Sequence, residues 1–364
     1  MTLGGNPRRS IRLAALLLAG AVGAACDGTK PGTDNSASGG AGSGPTTTGG
    51  GSGGSAATGG SLAAGGSLPD PKPRYHPPVG FESCVHAKVE ANCVDGWCQL
   101  PPSCFVMGSP ENEWHRGLYT EDLTAVTLTN SIEVQQNELT RAEWELITST
   151  AAPGPTTCTE GACPVAQVSW WDTVRLADLM SADKDLTPCY QPTGCTGTLG
   201  VDFVCEGVAA PNASVYECDG YRLPTRAEAE YAARAGTIST FYSGDITVYE
   251  STKCEVDPAL ELIAWYCHNS GDRPHVGGQL SANGFGLHDM IGNVSEWSNE
   301  DQHYSSSPGG EDPRGAPQSY ARQLRFGGQY SHKSYVARTA SLISAPRGSR
   351  ANSIGFRLVR TLPN

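Results

Sequence analysis

Apolar residues recur at helical spacing in only a few places along this chain. In "VSWWDTVRLADLMS", Val174, Leu176, Leu179 and Met180 fall roughly on one face, which predicts a half-buried helix. Its start is marked by Ser169 with Asp172 three positions later. The same signal opens "ELTRAEWELITS" (Thr140, Glu143) and "LPTRAEAEYAARAG" (Thr225, Glu228), and Gly236 supplies a stop for the last. Each is a capping box, in which hydroxyl and carboxylate satisfy amide donors left free at a helix N-terminus. Strand-like runs are short: Ala125–Thr129, Ser131–Val134, Leu324–Phe326 and Phe356–Arg360. The rest is rich in Gly, Pro, Asn and Asp. So much irregular chain calls for cross-links or a bound ion to hold it.

The N-terminal pattern differs. Arg8, Arg9 and Arg12 precede an apolar run from Leu13 to Val22 and small residues up to Cys26, so residues 1–26 are expected to be an export signal. That run, about ten residues, is too short for a helix to span a bilayer. Gly23-Ala24-Ala25-Cys26 resembles a bacterial lipobox, which makes Cys26 the expected lipidation site; plain secretion is the alternative. Residues 27–69 are almost entirely Gly, Ser, Ala, Thr and Pro, too poor in apolar surface to fold, and predict a flexible tether. Within it, Gly50-Gly51-Ser52-Gly53-Gly54 fits the hydrolase pattern G-x-S-x-G but lacks the flanking strand and helix, so it is a compositional accident.

Charge and cysteines narrow the function. Net charge is −12, and losing the three leader arginines takes the mature chain to about −15. So acidic a domain is unsuited to nucleic acid. Of 13 cysteines, an even dozen remain after Cys26. In an exported chain they read as disulfides, with Cys158, Cys163, Cys189, Cys195, Cys205, Cys218, Cys254 and Cys267 the main candidates. The close pairs Cys158/Cys163 and Cys189/Cys195 lie in loops a bridge would restrain, though spacing leaves connectivity open. Zinc would need paired C-x₂-C knuckles, and none occurs. The cysteine-dense patch in residues 70–103 reads as an N-terminal extension stapled to a main domain over 104–361.

Seven segments occur in a telling order: "FVMGSPENE", "NELTRAEWELI", "PVAQVSWWDTVRLADLMS", "YRLPTRAEAEYAARAG", "NGFGLHDMIGNVSEW", "RFGGQY" and "IGFRLVR". Together they resemble the formylglycine-generating enzyme family, the sulfatase-modifying factor domains. The resemblance implies an α+β, C-type-lectin-like fold with little regular secondary structure and one or two structural calcium ions. Calcium takes six to eight oxygen ligands, and Gly292-Asn293-Val294-Ser295-Glu296-Trp297 offers Asn293 and Glu296 as the side-chain ligands.

The family's oxidase chemistry converts a sulfatase cysteine to formylglycine with two copper(I)-binding cysteines between the "RGGS(Y/W)" and "GFR" motifs. Here that stretch, Gly327 to Arg357, has no cysteine, and Ser331, Ser334 and Val336 lie near the expected places. Copper(I) selects soft thiolates, so copper is not expected. His332 is the one strong ligand candidate there, although a lone histidine is more often a hydrogen-bonding group. Ala229 stands where the family usually has tryptophan, and Leu342 where a second arginine often follows Arg338. Glu228 and Glu230 are two apart on a helix and face different ways, which suits a capping carboxylate and a solvent or packing contact better than an acid/base pair. The expectation is a lipid-anchored binding or scaffolding module of the cell envelope, with a protein or glycan partner. The alternative is a sulfatase-maturing oxidase, or another enzyme, working by an altered mechanism.

Overall fold

The computed structural model describes residues 78–117, 120–209, 214–248, 253–301, 309–313 and 322–363. The export signal, Cys26 and the tether lie outside the described residues. Three helices form where the capping boxes stand: α1 (Arg141–Thr148), α2 (Trp170–Asp183) and α3 (Arg226–Arg234). In each, the hydroxyl of Thr140, Ser169 or Thr225 accepts an amide while Glu143, Asp172 or Glu228 reaches back to the cap. Ala235 closes α3 in the left-handed region at φ 44°, and Gly236 follows at φ 81°. On α2, Val174 and Leu176 are fully buried, and Leu179 and Met180 are half-buried at the face's margin.

Two four-stranded sheets carry the rest. One orders strands Cys93–Val94, Trp97–Leu100, Ile132–Gln135 and Val359–Thr361, all antiparallel. The other orders Ile343–Pro346, Arg322–Phe326, Ser295–Asp301 and Ile354–Gly355, the last pair parallel. A smaller sheet joins Ser103–Met107, Thr124–Leu128 and Gly310–Glu311. Trp144, Trp170, Trp297 and Phe356 fill the interior between α1, α2 and the second sheet, and Phe105, Tyr231 and Phe285 fill that around α3.

Three expectations need correction. The cysteine-dense patch is part of the first sheet: Trp97–Leu100 pairs with Ile132–Gln135 residue for residue, so no boundary falls at 104. Its alternation was hidden by cysteines, of which Cys98 is fully buried as a core residue. The expected strand Phe356–Arg360 shortens to Val359–Thr361, because the Leu358 amide donates to the Gln135 side chain at 2.8 Å instead of to a ladder carbonyl.

The third correction concerns the bridges. All twelve described cysteines pair: 84–104, 93–98, 158–163, 189–218, 195–205 and 254–267. Cys158 and Cys163 bridge as expected, but Cys189 and Cys195 do not bridge each other. A hairpin of Gln191–Thr193 with Gly207–Ala209 separates them. Cys195 closes that hairpin's far end with Cys205, and Cys189 turns inward to Cys218.

Candidate functional site

The loop Gly284–Val294 enters the second sheet through two left-handed residues, Gly292 at φ 86° and Asn293 at φ 48°. Gly292 is required here, since a Cβ would meet the Trp265 carbonyl oxygen at 2.4 Å. Asn293 reaches the left-handed region that asparagine tolerates. Its Oδ1 accepts the His275 amide at 2.9 Å, and its Nδ2 donates to Glu138 at 2.7 Å. Glu138 also accepts the Val294 amide at 3.0 Å. Glu296 accepts Arg357 Nε at both oxygens, 2.9 and 2.8 Å, and Nη2 at 2.8 Å.

The expected ligands Asn293 and Glu296 are therefore brought close but are engaged by protein donors. The cation at Glu296 is the Arg357 guanidinium, and the Asn293 oxygen points at an amide. Placed so, the pair does not fit calcium, which needs oxygens turned toward one centre. Burial, with like charge from Asp289 and Glu296, pushes the Glu138 carboxyl well above the usual range. Arg357 keeps its charge, with Glu296 beside it. Glu138 and Asp289 were not singled out from sequence. They stand in quoted motifs, but nothing in their spacing links positions some 150 residues apart.

The second locus is the stretch after Gly327–Gly328, both left-handed. Ser331 is exposed, and Ser334–Val336 forms one turn of 3₁₀ helix with Val336 half-buried. Arg338 ties this turn to the loop before Glu121: it bonds Glu113 and Glu121, each at 2.7 Å, and the His115 carbonyl at 2.6 Å. The His115 ring packs on Tyr335 with centroids 4.4 Å apart, and Trp114, half exposed, flanks it. Tyr335, Trp265 and Tyr330 are partly buried, while Trp170, Trp171, Tyr266 and Trp297 belong to the core. His332 is half-buried, and its Nδ1 is buried without a hydrogen-bond partner. Burial, and then the charge of Arg325, lowers its pKa to about 4.

The carboxylates on α3 divide as helix geometry requires. Glu228 caps the helix and takes a two-pronged bond from Arg222 at 2.7 Å. Glu230 is also buried, a packing contact away from solvent, accepting the Gly108 amide at 2.7 Å and Arg234 Nε at 2.8 Å. Both oxygens of Glu228 are thus engaged, whereas the two donors to Glu230 meet the same oxygen, Oε1. Ala229 and Leu342 line a cavity of about 10 Å³ beside Met290 and Phe326, room for about one water.

Seven ordered motifs, the capped helices and this sheet arrangement meet in one known description. Residues 89–362 match the sulfatase-modifying factor enzyme 1-like domain. The chain belongs to this family. It is 32% identical over 244 residues to the formylglycine-generating enzyme of Mycobacterium tuberculosis (strain ATCC 25618 / H37Rv), covering 54% of this chain and 71% of that one. It is 30% identical over 164 residues to the chaperone protein LppX of Paenibacillus barcinonensis, covering 40% of this chain and 54% of the relative, so it spans about half of that relative's length. Among solved structures, Treponema denticola variable protein 1 superposes with a TM-score of 0.57 at 20% identity, over 73% of this chain and 95% of that one. The fold is thus the C-type-lectin-like α+β fold of this family, cross-linked by disulfides.

Proposed function

We propose that this member of the sulfatase-modifying factor family is an exported, lipid-anchored binding or scaffolding module of the cell envelope, without the oxidation of cysteine to formylglycine. One observation carries the reading. Between Gly327 and Arg357 there is no cysteine, and each of the twelve described cysteines is already spent in a disulfide. A disulfide sulfur offers no thiolate to copper(I), and Ser331 and Val336 supply a hard oxygen and a hydrocarbon in its place. What the locus does present is a cluster of Trp114, His115 and Tyr335, tied by Arg338 to the His115 and Tyr335 carbonyls. Amphipathic rings held in place suit recognition of a protein or glycan at low entropic cost. That a relative bears the name of a chaperone favours a protein as the partner.

The test is direct. The domain is incubated with copper(I), oxygen and a peptide containing Cys-x-Pro-x-Arg, and the peptide is weighed by mass spectrometry. Unchanged peptide is expected; robust conversion to the aldehyde overturns the reading in favour of an oxidase of altered mechanism. Anchoring is tested apart from this: Cys26→Ser should move the protein from the membrane to the soluble fraction.

A further inference from the structure

Arg226, Ala229, Glu230 and Ala233 fall on one face of α3, and all four line the partly open cavity of about 10 Å³ against Phe326 and Leu342. The two alanines leave space there that longer side chains would fill. Leu342 is the one half-buried residue of the lining, so the mouth lies beside it. The polar groups on this face are incompletely engaged. Arg226 donates from Nη2 to the Thr120 carbonyl at 2.5 Å. Among the described residues it has no carboxylate partner, unlike Arg222 and Arg234. Its Nη1 has no hydrogen-bond partner and is not closed off. Glu230 takes the Gly108 amide and Arg234 Nε on Oε1, which leaves Oε2 without a partner and likewise not closed off.

Arg226 and Glu230 stand four positions apart, a spacing at which such side chains commonly pair, yet no ion pair joins them. One cavity is thus lined by a charged donor and a charged acceptor that do not reach each other. A hydroxyl satisfies both, since its oxygen accepts from the guanidinium while its proton goes to the carboxylate. Other groups fit less well. An ammonium would lie beside the Arg226 and Arg234 charges, an anion would meet Glu230 Oε2, and a carboxamide needs more room than one water takes. The hydroxyl fills the cavity, and the carbon that bears it meets hydrocarbon at Ala229, Phe326 and Leu342. A hexose presents such a group beyond a compact ring. A seryl hydroxyl would bring main-chain amides and carbonyls to a mouth where the Leu342 side chain has no partner for them.

We propose that this cavity is a binding subsite for the hydroxymethyl group of a neutral hexose, with Arg226 Nη1 and Glu230 Oε2 as its hydrogen-bond partners. The subsite is built of other residues than the cluster of Trp114, His115 and Tyr335, and it does not depend on the absence of oxidase chemistry. Aldehyde formation would overturn the binding-module reading and leave the subsite standing. Loss of sugar selectivity would do the reverse.

Three sugars test it, titrated into the ¹⁵N-labelled protein: methyl β-glucopyranoside, its analogue with methyl in place of hydroxymethyl, and methyl β-xylopyranoside, which lacks that carbon altogether. The Ala229, Ala233 and Gly327 amide signals are expected to shift saturably with the glucoside, at roughly millimolar affinity for a single seated group. Both analogues leave the donor and the acceptor unpaired and should bind about tenfold more weakly or worse. Ala229→Leu fills the cavity and should abolish the glucoside response while the rest of the spectrum is kept. Arg226→Met removes the donor and should weaken the glucoside about tenfold; it also serves if the leucine variant does not fold. Equal responses to the three sugars, or a glucoside response unchanged in the folded variants, overturn the proposal. So does the absence of any saturable shift, the result for a cavity that holds only water.

Discussion

Arg357 and Glu296, 61 residues apart, meet in the interior through bonds of 2.8 to 2.9 Å, with neither side chain more than 1% exposed. The arginine's other donors reach the carbonyls of Gln135 and His288. One guanidinium thus ties together the first sheet, the loop before Val294 and the second sheet. Its charge also acts on Glu138 and Asp289. Replacing it by methionine would strand three buried carboxyls. Arg357→Met is therefore expected to cost about 3–5 kcal/mol, read as a lower urea midpoint at unchanged slope. Adding Glu296→Leu should recover part of the loss, because it removes the charge left behind.

Asp178 on α2 gives a pH dependence of definite sign. Its carboxyl is buried, and burial raises its pKa to about 7, against a weak pull from the Tyr190 amide and Arg175. The folded state thus binds a proton that the unfolded chain, with an ordinary aspartate near 4, has released. Its contribution is fully present below the unfolded value and is lost as pH rises toward 7. Asp178→Asn keeps the shape without the charge. The variant should match wild type near pH 4 and exceed it by roughly 2–4 kcal/mol near pH 8, measured by denaturant unfolding at several pH values. Parallel profiles would sink this account.

Local features were readable in the chain and distant ones were not. The three capping boxes fix α1, α2 and α3 because hydroxyl and carboxylate act within one turn, so the code is complete in four residues. The strand Trp97–Leu100 escaped notice since its inward positions include Cys98, and a cysteine reads as a cross-link before it reads as a core residue. Asn293 and Glu296 were found as a polar pair, but their partners Glu138, His275 and Arg357 arrive from far along the chain.

The disulfides should rank by the loop each one closes. Cys189–Cys218 spans 29 positions and Cys158–Cys163 only 5. Cross-linking removes more freedom from the unfolded chain when the loop is longer, which predicts losses of about 3.5 and about 2 kcal/mol respectively. Thermal midpoints of the two double-alanine variants check the order. A larger drop for the Cys158/Cys163 pair would show that strain, not loop entropy, governs these bridges.

Gly292 is the sharpest single test of the loop that carries the family signature. Its φ of 86° already disfavours a side chain, and a Cβ would press on Trp265 backbone at 2.4, 2.9 and 3.0 Å. Those atoms cannot swing aside as a side-chain tip would, because the Trp265 carbonyl accepts the Asn293 amide at 2.8 Å. Gly292→Ala would push that bond apart and tilt Asn293 away from Glu138. The expected cost is about 3 kcal/mol or more, the class of effect produced by forced backbone strain. Gly348 is the matched control: it is exposed, its φ is unremarkable, and a Cβ there meets nothing within 4 Å. Gly348→Ala should stay within about 0.5 kcal/mol of wild type. Equal midpoints for the two variants would mean that the Gly292–Trp265 contact does not hold the loop.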